Sequence, residues 1–330
     1  MTRGASIRHM SESRSPCSPA IRVHRSALRG VAAVLVVGVC AAHASPPAPA
    51  SPLAISIAAR SIQPGELIVV RITGADAAVG SATGDRGVTR VRVALFGETV
   101  EAFDDHGVWT ALLGVDLDQR PGRYTLTATA QRGSSAVDAS QSVVVAPKHF
   151  ATRTLHVSPE FVNPPPDAAA EIAADARRIA DVYAHSADEA LWRTPFIRPV
   201  PQSANSRFGQ RSRFNGELRS PHAGTDFMSP AGTPVKAPNS GRVVVARELY
   251  FTGNTIIIDH GLGVFSMLAH FSRLDAQEGQ HVNAGDLLGL VGATGRVTGP
   301  HLHWAMRVAG ARVDPMSALA LLGASSNRRP

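Results

Sequence analysis

The stretch that decides the fold is Gly299-Pro-His-Leu-His-Trp-Ala-Met-Arg-Val308. It leaves a Gly-Pro turn and then alternates. Successive side chains on a strand point to opposite faces, so His301 and His303 share one face while Leu302 and Trp304 share the other. Two imidazoles so placed can meet one metal, or one can bind it while the other faces a substrate. A second stretch, His222-Ala-Gly-Thr-Asp226, has a compatible geometry. An even number of positions separates His222 from Asp226, so an extended segment presents both to one side. A helix would align them too, but Gly224, Thr225 and the nearby Pro221 and Pro230 argue against one. Imidazole nitrogen and carboxylate oxygen are donors that zinc takes in hydrolytic sites, with three protein ligands and one open position.

Around these stretches lies a series of short apolar strands: Gly241–Ala246, Asn254–Asp259, Val264–His270 and Leu287–Val291. Interleaved with them, in order, stand Ser206-Arg-Phe-Gly209, Gly232-Thr-Pro-Val235, Gly253-Asn-Thr-Ile-Ile-Ile-Asp-His-Gly261, Ala269-His270, Gly279-Gln-His-Val-Asn-Ala-Gly-Asp286, Val291-Gly-Ala-Thr-Gly-Arg296 and Thr298-Gly-Pro-His-Leu-His303. With His222-x-x-x-Asp226, this ordered set resembles the lysostaphin-like (LytM-type) zinc metalloendopeptidases, which cut peptide bonds in peptidoglycan. A lone His-x-His would carry little weight. The ordered motifs cover about a third of the chain, from Ser206 to Pro315.

The resemblance implies an antiparallel β catalytic domain of barrel-sandwich hybrid type over residues 199–322. It implies one Zn2+ held by His222, Asp226 and His303. His270 and His301 correspond to the family's two other active-site histidines, one acting as general base and the other stabilising the oxyanion or protonating the leaving amine. No His-Glu-x-x-His motif is present, so no glutamate base of that kind is available. Asn215, Arg219 and Arg207 are candidate substrate contacts. The chain departs from the family at Leu268, where a tyrosine is usual, and at Ala305. The loop Phe214–Pro221 offers no tyrosine either.

Other residues invite blander readings. His260 follows the apolar run Ile256-Ile-Ile258, so packing or a supporting hydrogen bond is expected of it and of Asp259. His281 reads as a surface histidine. The hairpin that carries it resembles those of biotinyl and lipoyl carrier domains, but a carrier needs a lysine at the tip. The chain's lysines are Lys148 and Lys236, and neither lies there.

The 330 residues suffice for two modest domains and linkers, and 44% hydrophobic with 18% charged content is globular. The net charge of +7 is concentrated at the start. Residues 1–44 hold six Arg and one Glu, leaving +2 for the remainder (7 − 5) and no basic run, which argues against a nucleic-acid partner. Arg22, Arg25 and Arg29 precede the apolar run Val31–Ala42 and then Ala42-His43-Ala44, the layout of a secretory signal peptide over residues 1–44. Left uncleaved, the same run would anchor the chain to a membrane. Both cysteines, Cys17 and Cys40, fall in that segment, so a disulfide framework and thiolate metal ligands are excluded from the remainder.

Residues 45–52 form a Pro-rich lead-in. From 53 to 147 short alternating runs (Glu66–Thr73, Arg90–Phe96, Arg123–Thr129, Ser142–Val145) predict an immunoglobulin-like β-sandwich without a catalytic cluster. Asp104-Asp105-His106-Gly107 reads as a solvated turn. Residues 148–198 read as a linker with a helix from Ala168 to about Ala184, N-capped by Asp167, with Ile172, Ala176, Ile179 and Tyr183 at helical spacing. Trp192, Phe196 and Ile197 are expected to anchor this linker to the last domain. Residues 323–330 are a tail.

The resulting expectation is an exported hydrolase of the bacterial envelope, acting on peptidoglycan peptides in the periplasm of a Gram-negative cell. The competing reading is a non-enzymatic regulator that activates cell-wall amidases. Such relatives typically lose ligands or catalytic histidines, and here all five positions are filled.

Overall fold

A computed structural model describes residues 53–74, 88–155, 164–204, 208–218 and 220–323. The expected signal peptide, the lead-in, Arg207, Arg219 and the tail beyond residue 323 lie outside the described residues. Among the described residues, no helix is long and apolar enough to cross a membrane.

The first eight strands are β1 (Ala54–Ala58), β2 (Leu67–Thr73), β3 (Arg90–Leu95), β4 (Glu98–Glu101), β5 (Phe103–Asp105), β6 (Val108–Gly114), β7 (Gly122–Arg132) and β8 (Ser135–Val145). They form two antiparallel four-stranded sheets, ordered β1-β2-β6-β5 and β4-β3-β7-β8. Alternation produces the core between them: Ile68, Val70 and Ile72 of β2 meet Val91, Val93 and Leu95 of β3 and Leu126 and Ala128 of β7. The Tyr124 hydroxyl donates to the Arg120 carbonyl at 2.7 Å, tying the start of β7 to the chain just before it. His106 (φ 54) and Gly107 (φ 87) make the tight turn from β5 to β6, and Asp104 accepts from the Gly107 N–H, as a solvated turn should.

Several strands exceed the expectation. The expected strand over Ser142–Val145 runs back to Ser135 through a largely exposed stretch in which only Val137 and Ala139 are half-buried, a weak alternation of small side chains. β6 is absent from the expectation because it is buried on both faces, so its residues Val108-Trp-Thr-Ala-Leu-Leu-Gly114 show no alternation.

After the sandwich, β9 (Thr152–Leu155) pairs in parallel with β10 (Arg211–Phe214), which pairs with β11 (Glu217–Leu218). A single 3-10 turn, Pro166–Ala168, leads into α1 (Ala169–Ala184). The expected Asp167 cap is not formed: Asp167 lies inside that turn, and Ala168, the N-cap of α1, offers no side-chain bond. Ile179, Val182 and Tyr183 of α1 pack on Val245, Ile257 and Phe265.

The remaining strands are β12 (Gly224–Phe227), β13 (Pro234–Lys236), β14 (Gly241–Leu249), β15 (Gly253–Asp259), β16 (Val264–Leu274), β17 (His281–Val282), β18 (Leu287–Val291), β19 (Leu302–Val308) and β20 (Ala311–Val313), closed by α2 (Pro315–Leu322). They form one nine-stranded sheet whose main path is β12-β19-β16-β15-β14-β17, and all its pairings are antiparallel. Its core holds Val243, Ile256, Ile258, Leu268, Phe271, Leu302, Trp304, Met306 and Val308.

That core also takes in Leu67 and Val69 of β2 and Leu112 of β6. These alternate with the sandwich-core residues, so the β1-β2-β6-β5 sheet is packed on both sides. At Gly114 a Cβ would come 2.5 Å from the Ala311 Cβ, so only glycine permits the approach of β6 to β20. Buried Glu66 accepts from Arg60 (2.8 Å) and Ser317 (2.8 Å) and pairs with Lys148 (3.2 Å). Arg60 also pairs with Asp314, the N-cap of α2. Trp192 meets Phe103 of β5 edge-on at 5.6 Å and Phe196 at 6.2 Å.

Candidate metal centre

Antiparallel pairing places Asp226 of β12 directly opposite His303 of β19, and His303 in turn opposite Ala269 of β16. Cross-strand partners share a face. His222 enters just before β12, its backbone paired with Gly209 and Gln210. His222 Nε2, Asp226 Oδ1 and His303 Nδ1 therefore converge: the separations are 3.1 Å from His222 to Asp226, 2.9 Å from Asp226 to His303 and 3.0 Å between the two nitrogens. Among the described residues they are a group placed to hold a metal ion.

Ring N–H groups donating to the carboxylate account for the two contacts with Asp226 but not for the close approach of the two ring nitrogens, which a shared cation would explain. Zinc bonds of about 2.0–2.2 Å in a tetrahedron space their ligands by about 3.3–3.6 Å, a few tenths of an ångström wider than this triangle. The donor set and its spacing fit the group. Gly224 makes the fit possible, since a Cβ there would fall 2.5 Å from the ring of His303. Burial alone would raise the Asp226 carboxyl, but the hydrogen bonds of His222 and His303 hold it well below the usual carboxylate range. Burial likewise lowers His303, keeping its ring neutral.

Two further histidines stand beside the cluster. His301 Nε2 lies 3.9 Å from Asp226 Oδ1, and the rings of His270 and His301 are 4.8 Å apart. His270 Nδ1 is 2.8 Å from the Thr294 carbonyl, and His301 Nδ1 is 2.8 Å from the Gly299 carbonyl. A carbonyl oxygen only accepts, so each Nδ1 carries the proton and each Nε2 is left as the basic nitrogen. Burial, then the neighbouring His303 and His301, push His270 down to about 3. It is a neutral acceptor at any pH near 7.

The five residues singled out in the sequence thus come together at one end of β12, β16 and β19. Asn215 sits apart in chain terms, exposed in the β10–β11 turn with φ 49. His260 is fully buried, held by the Ser240 carbonyl at 2.7 Å and the Ser266 hydroxyl at 2.9 Å, and packs edge-on to Phe196. Asp259 accepts from Ser186, Ala187 and Gly261, stitching the segment after α1 to β15. His281 is exposed. Sequence reasoning quoted Thr294 and Gly299 within motifs without seeing their work, which is done by backbone carbonyls that side-chain patterns do not reveal.

With this geometry in place, the comparisons are specific. The model of peptidase family M23 matches residues 220–315, the segment that carries all five residues. This segment is an M23 peptidase domain. The peptidoglycan DD-endopeptidase ShyA of Vibrio cholerae is 45% identical over 98 residues, 30% of this chain and 23% of its own length. The DD-carboxypeptidase/endopeptidase Mpg of Neisseria meningitidis is 42% identical over 96 residues, 29% of this chain and 22% of its own. The chain therefore matches under a quarter of the length of these curated relatives. A solved structure described as a candidate M23 peptidase from Pseudomonas aeruginosa covers 78% of this chain and 95% of its own, at 29% identity and a TM-score of 0.59. That coverage exceeds the M23 segment, so the likeness extends into the strands before it.

Proposed function

We propose that the chain is a zinc metalloendopeptidase that hydrolyses peptide cross-links or stem peptides of peptidoglycan. The carrying observation is the convergence of His222 Nε2, Asp226 Oδ1 and His303 Nδ1 beside two histidines whose Nδ1 protons are committed to carbonyls. Zinc bound by the three would supply Lewis acidity toward a water and the scissile carbonyl. His270 and His301 present Nε2 lone pairs to the same side. One takes the proton of the attacking water. The other, once protonated, donates to the developing oxyanion or to the departing amine. Asn215 and Arg219, which precede His222 in the sequence, are proposed substrate contacts.

Peptidoglycan as substrate is supported by the names of the Vibrio and Neisseria relatives, and a DD-endopeptidase is the reading they favour. That substrate implies export, for which residues 1–44 supply the signal, and the periplasm of a Gram-negative cell. The regulator reading is not favoured, because the ligand set and both histidines are intact. For the sandwich we infer an immunoglobulin-like fold. Its support is the order β1-β2-β6-β5 over β4-β3-β7-β8 and the Tyr124 hydroxyl bonded back to Arg120.

The test is digestion of purified sacculi by zinc-loaded protein, with and without chelator, and by His303→Ala. Cross-linked dimers should become monomers only with zinc and the intact site. Absence of release by protein carrying stoichiometric zinc would overturn the reading.

A further inference from the structure

His270 is the extra residue of a β-bulge. Between β15 and β16 the register steps from Thr255 opposite Ala269 to Asn254 opposite Phe271, and His270 is left without a partner. It adopts φ 69, the left-handed region that a non-glycine residue occupies only under constraint. Its side chain is thereby turned out of the strand alternation toward His301 and His303.

Two residues outside the pair hold this bulge: the Thr252 carbonyl accepts from the His270 N–H at 3.1 Å, and Thr294 makes the remaining bonds. The Thr294 hydroxyl accepts from Asn254 N–H at 2.9 Å and donates to the Phe271 carbonyl at 2.9 Å. It is a one-atom bridge between the two residues that face each other where the ladder has opened. The same residue's carbonyl takes the His270 Nδ1 proton at 2.8 Å. The approach needs Gly253 (φ 60), since a Cβ there would lie 2.3 Å from Thr294 Oγ1. The Asn254 side chain adds a second bond to the Phe271 carbonyl at 3.1 Å. Without the hydroxyl, that carbonyl keeps a partner while the Asn254 N–H loses its own, and the bulge relaxes toward direct pairing.

We propose that Thr294 is a positioning residue for His270: its hydroxyl props the bulge open, and its carbonyl fixes the ring with the proton on Nδ1 and the lone pair on Nε2. The idea rests on the peptidase reading for its kinetic consequence and on geometry alone for its structural one. Thr294 contacts no metal ligand through its side chain in the bonds described, so its effect should appear in turnover and leave metal uptake intact.

The experiment compares the full zinc-loaded chain with Thr294→Val, which keeps the shape and removes the hydroxyl, and Thr294→Ser, which restores it. With a soluble cross-linked muropeptide as substrate, Thr294→Val should lower kcat by about 10- to 100-fold with KM and zinc stoichiometry unchanged. Thr294→Ser should return to within about twofold of wild type, the scale of a retained hydroxyl contact. In protein labelled with 15N-histidine, His270 should show a single Nδ1-protonated tautomer in wild type and Thr294→Ser, and a mixture in Thr294→Val. An unchanged tautomer and kcat in Thr294→Val overturns the proposal, as does loss of zinc alongside kcat. Thr294→Ala removes the hydroxyl with less bulk and is read by the same criteria if the valine variant does not fold. If wild type cleaves nothing, the peptidase reading falls, and the tautomer comparison still decides the role of Thr294.

Discussion

Asp226 faces His303 across the β12–β19 pair, with Oδ1 2.9 Å from Nδ1, so the two candidate ligands are set by strand register. Asp226→Asn keeps the register and removes the charge. It should weaken zinc binding by at least about 100-fold, the upper range for losing a mere supporting partner. Metal analysis after dialysis against a weak chelator checks this.

Gly224 is the space that the His303 ring occupies. Gly224→Ala should push that ring off the metal-binding position. The expected result is a folded protein, destabilised by about 1–3 kcal/mol, that retains no zinc. Circular dichroism together with metal content separates this from unfolding.

His270→Ala and His301→Ala remove groups that flank the ligand triangle. Each should lower kcat by about 10²–10⁴-fold while zinc stays bound, in contrast with His222→Ala, which should lose both. Parallel turnover and metal assays distinguish the two classes.

His260 is fully buried, and burial, opposed by its bond to the Ser240 carbonyl, lowers it to about 4. The unfolded chain takes up that proton first as the pH falls below about 6.5. Its contribution to stability is therefore complete above that pH and is lost on the way down to about 4, by about 3 kcal/mol. Urea unfolding at pH 7 and pH 4.5 should show this loss, and His260→Gln should be less stable at pH 7 with a flatter dependence.

Glu66 is buried and pairs with Arg60 and Lys148 while accepting from Ser317. Glu66→Ala leaves Ser317 and Lys148 without this acceptor while Arg60 keeps Asp314, and should cost about 1–3 kcal/mol. Equilibrium denaturation reads this directly.

The residues that converge at the candidate metal centre were legible in the sequence because their spacing is local. His301-Leu-His303 alternates on one strand, and His222 precedes Asp226 on an extended segment. The helix over Ala169–Ala184 was equally readable from its spacing. What escaped depends on contacts made at long range. β6 was missed because Leu112 faces one core while Ala111 and Leu113 face another, which erases the alternation. The bulge at His270 is a mismatch between two strands, and neither strand alone encodes it. The parallel pairing of β9 with β10 joins residues on either side of α1, beyond any local pattern.

The wall that serves two cores has a mechanical consequence. Leu67, Val69 and Leu112 cannot leave the second core without exposing apolar surface, each costing about 1.5–3 kcal/mol. The seam between the halves is therefore no hinge: a force on the sandwich is passed through Leu67, Val69 and Leu112 to the sheet that carries the histidine cluster.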